Sequence, residues 1–405
     1  MGLRETAQEL RELGLDGTLF RVKHELRMRS GAAQRFERPI PPRPRPTGSP
    51  WLAKLPFGDA PAVVARVSPS LTSGDREALS TIASRACEGR IRGFGGDELD
   101  FGDPVDWYLH PVSRKRWNPS LHWSRALVGA ATIGDPKLTW EAARFPQAFH
   151  IARAAAFEPA RAEALLEGLT AQVEGFLRAT PHPFGLHWFS SQELEVRLSA
   201  WCFAARVFTA LGCDARALVE AIARHAWEAG AHTERELEYA RRAVYNNHLI
   251  AEALGLYLCS IIAPPCDDAT RWSALGRALL EAQAERQFYR DGAYLNLAHN
   301  YHRTVLQDYL LATRIAQGEG RAVPPSWTAA LERSLDFLVA QQNPIDGALP
   351  NYGSNDGSMP RVLSTCAFSD FRPTLQTVSV LTRGARLYPA GPWDEECAWT
   401  LGPEA

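Results

Sequence analysis

Hydrophobic and polar positions follow two different rhythms along this chain. After Trp117, apolar side chains return every three or four residues, the spacing of one face of a helix. Such runs fall near 121–132, 137–156, 159–178, 190–211, 214–229, 235–262, 268–289, 298–317, 326–342 and 371–388. Helix-breaking steps separate them: Gly134-Asp135-Pro136, Glu158-Pro159, Pro181-His182-Pro183, Pro264-Pro265, Pro324-Pro325 and Asn343-Pro344. Residues 1–30 also predict an amphipathic helix, with Leu10, Leu13, Phe20 and Leu26 set among alternating charges. The text between is different. Residues 39–50, PIPPRPRPTGSP, are too proline-rich for a helix and read as a stiff connector. From Gly89 to Trp107, glycines punctuate short segments such as IRGF and LDFG, which predict small strands and turns.

About ten antiparallel helices with no sheet to pack on need a shared core, and no sequence period points to a linear solenoid. A ring of paired helices, an (α/α) toroid, buries its inner helices on all sides and leaves a cleft at the loop end; a large irregular bundle is the alternative. The expected class is all-α. The expected division is an N-terminal helix and linker (1–50), a small mixed lead-in (51–118) and a helical domain (119–405).

Composition narrows the function. Lys plus Arg number 44 against 46 Asp plus Glu, a formal charge of −2, which excludes a generally basic nucleic-acid binder. Residues 1–50 alone carry a small positive excess, read as a solvated helix face. Twelve Trp suit either sugar-stacking platforms or a large helical core. Seven scattered Cys without a CxxC pair read as buried thiols, neither a disulfide framework nor a zinc site. No apolar stretch is long enough for a membrane span. The first twenty residues lack the apolar region of a signal peptide, so the chain is expected in the cytoplasm.

Four clusters carry candidate chemistry. In Asp135-Pro-Lys137-Leu-Thr-Trp140-Glu141-Ala-Ala-Arg144, Asp135 is placed to cap a helix, and Glu141 and Arg144 to pair one turn apart. Glu193, Arg197 and Trp201 recur every four residues, a carboxylate, guanidinium and indole stripe suited to sugar or uronate recognition, or else a salt bridge under a core Trp. Tyr245-Asn246-Asn247-His248 opens an otherwise apolar helix, where one cap explains one polar residue but hardly all. Finally, His299-Asn300-Tyr301-His302-Arg303 crowds two His, a Tyr and an Arg at a helix start. No acidic partner stands at metal-ligand spacing and no phosphate loop or GxSxG is present, so no metal and no cofactor are expected. A fifth, turn-rich stretch runs Asn351-Tyr-Gly353-Ser-Asn355-Asp356-Gly357, followed by Asp370-Phe-Arg372-Pro373.

In this order, DPKLTWEAARF, WFSSQELEVRLSAW, NNHLIAEALGLY, DGAYLNLAHNYHRTVLQDY and GSNDGSMPRVL with DFRPTLQ resemble the heparinase II/III-type polysaccharide lyases, a group that includes alginate lyases. The resemblance covers roughly 90–400. It implies an (α/α) toroid followed by a β-sandwich, with β-elimination of a uronic-acid polysaccharide between them. The chain stops at Ala405, about where the sandwich begins, so the expectation is an incomplete toroid, with the sandwich absent or supplied by a separate domain or subunit. The resemblance also implies the site: Asn247 as a donor to the developing enolate, Tyr301 as the proton-transferring phenol, and His248, His302 and Arg303 as cationic neighbours that would lower its pKa. Glu193, Arg197, Trp201, His302 and Arg303 would bind the acidic polysaccharide. The competing readings are a non-catalytic carbohydrate-binding or scaffold subunit, and a glycoside hydrolase, which needs paired carboxylates.

Overall fold

The computed structural model describes residues 3–44, 50–55, 57–244 and 246–405. Tyr245, residues 45–49 of the proline-rich connector and the side chains of residues 1–15 lie outside the described residues. Helices α1 (Leu3–Arg29) and α2 (Ala32–Arg35) lead into α3 (Ala60–Val67) and α4 (Ser73–Cys87). A two-stranded antiparallel hairpin follows, β1 (Arg90–Gly93) and β2 (Asp97–Asp100), with Arg90 opposite Asp100 and Gly93 opposite Asp97. The glycine-punctuated text between the helical regions is thus a hairpin, the sole sheet among the described residues.

The remaining chain is α5 (Ala130–Ile133), α6 (Pro136–Arg144), α7 (Pro146–Phe157), α8 (Ala162–Ala179), α9 (Ser191–Ala210) and α10 (Arg216–Tyr239). Then come α11 (Asn247–Ile262), α12 (Asp267–Arg286), α13 (His299–Gly318), α14 (Pro325–Val339), α15 (Arg372–Arg383) and α16 (Asp394–Leu401). Three expected elements differ. The run near 121–132 is mostly turns, with helix only from Ala130, because Gly129 takes a left-handed conformation (φ 97°) that interrupts it. The run 137–156 is two helices: Phe145 takes a left-handed conformation (φ 59°) and Pro146 starts a new axis. The break between the two middle runs lies near 240–246, not near 230, where Gly230 lets the Trp272 ring press directly on a continuous α10.

Burial separates two layers. Helices α7, α9, α11 and α13 are buried on nearly every face, whereas α8, α10, α12 and α14 bury one stripe each. The inner helices pack in sequence, α7 on α9, α9 on α11, α11 on α13 and α13 on α15, each with an outer neighbour. The curve is joined up by short elements: α15 packs on α16, α16 on α3 and α3 on α7. Arg153 of α7 grips Glu395 of α16 bidentately, at 2.7 and 2.6 Å, with both side chains out of water. The fold is all-α, an incomplete (α/α) toroid behind a small mixed extension. The Trp question resolves largely toward packing, since Trp117, Trp188, Trp201, Trp272, Trp327 and Trp399 are fully enclosed. All seven Cys are free; Cys202, Cys259 and Cys397 are buried, while Cys87, Cys213, Cys266 and Cys366 are only half-buried. Among the described residues no helix is long and apolar enough to cross a membrane.

Candidate active site

Four helix starts and one loop deliver polar groups to one end of the ring. Asp135 caps α6 by accepting from the Lys137 N–H at 2.9 Å, with Pro136 in the first turn. That helix carries Glu141 and Arg144. Helix α9 opens with Gln192 and Glu193. Helix α11 is set off by a π-helical turn at Ala240–Val244, after which Asn246 caps it by accepting from the His248 N–H at 2.9 Å. This cap frees Asn247 and His248 for other work. The loop after α14 brings Asp356 back across the cluster. Gly357 makes that return possible: its φ is 73°, and a Cβ there would sit 2.7 Å from the Phe94 carbonyl carbon.

Arg144 is the electrostatic centre. Its Nε and Nη2 bind Glu193 at 2.7 and 2.9 Å, and its Nη1 binds Glu141 at 2.9 Å. Burial works against its charge, but the two carboxylates outweigh it and hold the guanidinium protonated. Asp356 Oδ2 accepts from the Tyr301 phenol at 3.0 Å and from Lys137 Nζ at 3.1 Å. Burial would raise the Asp356 carboxyl, yet those donors keep it below its ordinary value. Burial first, and then the adjacent Asp356 charge, push the Tyr301 phenol up to about 12. It is a proton donor at neutral pH.

Asn247 is buried, donates to Gln192 Oε1 at 3.2 Å and accepts from Asn296 at 3.3 Å. One of its two amide N–H groups remains for another acceptor. His248 is half-buried; desolvation lowers its pKa against the opposing pull of Glu193, so its ring is neutral. Arg144 and Asp356 act electrostatically on both His248 and Tyr301.

The other four expected site residues stand elsewhere, and this replaces the cleft-lining stripe that their spacing suggested. Arg197 is fully enclosed, donating to the Ala143 carbonyl at 2.7 Å, contacting His225 at 3.2 Å and lying 4.3 Å over the Phe176 ring. Burial lowers its pKa to about 9. Trp201 packs between Phe145 and Phe176 in the core. His302 is enclosed by Phe288, Tyr294 and Phe337, and burial drops its pKa to about 3. Arg303 lies 4.3 Å over both Phe368 and Phe371 and donates to the Phe368 carbonyl and to Asn300, fastening a loop. For Arg197 and Trp201 the reason is that α9 is covered on nearly every side, so a stripe that starts at its polar end runs into the core; His302 and Arg303, in the first turn of α13, are covered there by the rings around them.

Residue reasoning paired Glu193 with Arg197 and left Arg144 to Glu141. It also left Lys137, Gln192, Asn296 and Asp356 without roles in the site. Asp356 was visible as a turn residue, and its Oδ1 does brace the loop by accepting from the Ser358 N–H at 3.1 Å. Nothing local marked its second oxygen. Among the described residues no group of three or more His, Cys, Asp or Glu is arranged to hold a metal ion.

A family profile described as Heparinase II/III N-terminus matches residues 89–366. A search of curated proteins gives no match. Among solved structures, heparinase III is 13% identical, with 67% of this chain and 40% of that one covered and a TM-score of 0.49. The heparan sulfate lyase HepC from Pedobacter heparinus is 18% identical, with 68% and 40% covered and a TM-score of 0.44. The chain spans about 40% of the length of these two structures.

Proposed function

Because the chain belongs to the heparinase II/III N-terminal family, we propose that it is the toroid part of a polysaccharide lyase acting by β-elimination on a uronic-acid-containing polymer. What supports this reading is the Tyr301 phenol held on Asp356 beside Lys137, together with the buried donor amide of Asn247. In the reaction, the C5 proton beside the uronate carboxylate leaves, the C–H electron pair becomes the C4–C5 double bond, and the C4–O4 bond breaks. The neutral imidazole of His248 takes the C5 proton. The free Asn247 N–H donates to the carboxylate as its carbon becomes enolate-like, stabilising charge without adding a competing base. Tyr301 delivers its phenolic proton to O4. Its raised pKa suits it to the acid half of the reaction, and Asp356 holds the hydroxyl in place. Glu193 and Arg144 keep the cluster rigid.

The test follows the conjugated double bond by ultraviolet absorbance, alongside binding to heparan sulfate, alginate and other uronates, with the chain alone and joined to a β-sandwich partner. Salt-weakened binding to a uronate polymer is expected. In the active form Tyr301→Phe should cut turnover by about 10²–10⁴-fold with binding nearly unchanged. A chain that binds no uronate polymer, or a Tyr301→Phe enzyme as fast as the parent, overturns the reading.

A further inference from the structure

A cavity of about 760 Å³ opens beside His248, bounded by α1, α9, α10, α11 and the segment 123–128. Its size lies within the roughly 300–1,000 Å³ of sites that enclose small organic ligands. Part of its wall comes from outside the family-matched region 89–366: His24, Glu25, Met28 and Arg29 of α1 form its roof. Arg27 of α1 binds Glu236 bidentately at 2.9 and 2.8 Å, and His24 stacks on Tyr239 with ring centres 4.3 Å apart.

The lining combines two kinds of surface. Phe189 and the half-buried Tyr239, whose ring stacks with His24, supply aromatic area, while Trp123 is buried. Between them stand neutral hydrogen-bonding groups that the protein leaves unused. Ser190 Oγ is buried without a partner at the start of α9. Glu252, one turn beyond His248 on the same face of α11, is 7% exposed and makes no hydrogen bond among the described residues. Burial, with the nearby Glu236 charge, raises its carboxyl well above the ordinary carboxylate range. Leaving such groups unsatisfied costs stability, and a ligand bearing hydroxyls relieves it. At the rim Arg125 is exposed and makes no salt bridge among the described residues.

We propose that this cavity is a saccharide subsite, holding the sugar unit adjacent to the one undergoing elimination, and that α1 is a specificity element of the cleft; this rests on the lyase reading above. Aromatic faces receive the C–H side of a pyranose ring. Ser190 and the Glu252 carboxyl exchange hydrogen bonds with its hydroxyls, and Arg125 meets a carboxylate or sulfate on the next unit.

Isothermal titration of the full chain with size-defined heparan sulfate and alginate oligosaccharides, disaccharide to octasaccharide, tests this. The parent should bind longer ligands more tightly. Arg125→Ala, an exposed change that leaves folding intact, should erase about tenfold of that gain, the worth of one charge-assisted hydrogen bond. Glu252→Leu should do the same, with disaccharide affinity retained in both. Identical length dependence in parent and both variants overturns the subsite while leaving the lyase reading standing. A parent that binds no oligosaccharide of any length overturns both. If Arg27→Ala, which unpins the roof, tightens binding of long ligands, α1 obstructs the cleft and the inference falls.

Discussion

Tyr301 and Asp356 show how a single contact assigns a chemical role. A phenol donating to a carboxylate stays protonated, because ionising it would set two negative charges 3.0 Å apart. Burial alone also favours the neutral form. Asp356→Asn removes the charge and keeps the burial. The Tyr301 phenol should then titrate below its present value of about 12 yet still above the ordinary 10. The sign is fixed: stripping a nearby negative charge makes the phenolate easier to form, so the titration moves to lower pH. Ultraviolet difference titration of Asp356→Asn, with Tyr301→Phe subtracted to isolate this phenol, reads the shift. An unmoved titration would mean that the hydrogen bond does not govern the proton.

At the scale of elements, the site depends on where helices begin. Helix α11 starts at Asn247 because Asn246 satisfies the His248 N–H, and that start places Asn247 against Gln192 and Asn296. Asn246→Ala should lower stability by about 1 kcal/mol and weaken saccharide binding as the first turn frays. Asn246→Asp restores the acceptor and should restore both. Thermal unfolding with parallel titration checks the pair; loss of stability with binding intact would show that the turn holds Asn247 without its cap. The same logic explains the amides in NNH. One is spent on the backbone, and the next on Gln192 and Asn296.

On the scale of the whole molecule, the ring is joined by charge as well as by packing. Arg153 and Glu395 meet where α7 and α16 come together, with Trp399 also donating to Glu395 at 3.2 Å. Arg153→Ala strands a buried carboxylate and should cost about 3–5 kcal/mol, whereas Arg153→Met together with Glu395→Leu should recover most of it. Chemical denaturation of the two variants and the parent decides the matter. A single variant as stable as the parent would mean that packing alone joins the ring.

Much of this protein was legible in its sequence. The 3.6-residue rhythm and the proline breaks determined an all-α chain of hairpins, because helix periodicity and stop signals are local. Capping by Asp135 and the pairing of Glu141 with Arg144 were equally local, each acting within one turn. The polar clusters at helix starts were visible for the same reason, while the roles of Asn247, His248 and Tyr301 rested on the family resemblance. Only the tertiary structure decided which stripes face the cleft. Arg197 and Trp201 share a face with Glu193, yet they lie in the core because α9 is covered on every side. It also decided that Glu193 belongs to Arg144, 49 residues away, and that Asp356 reaches Tyr301 across 55. Partners so distant in the chain are set by the closing of the ring, which no local pattern records.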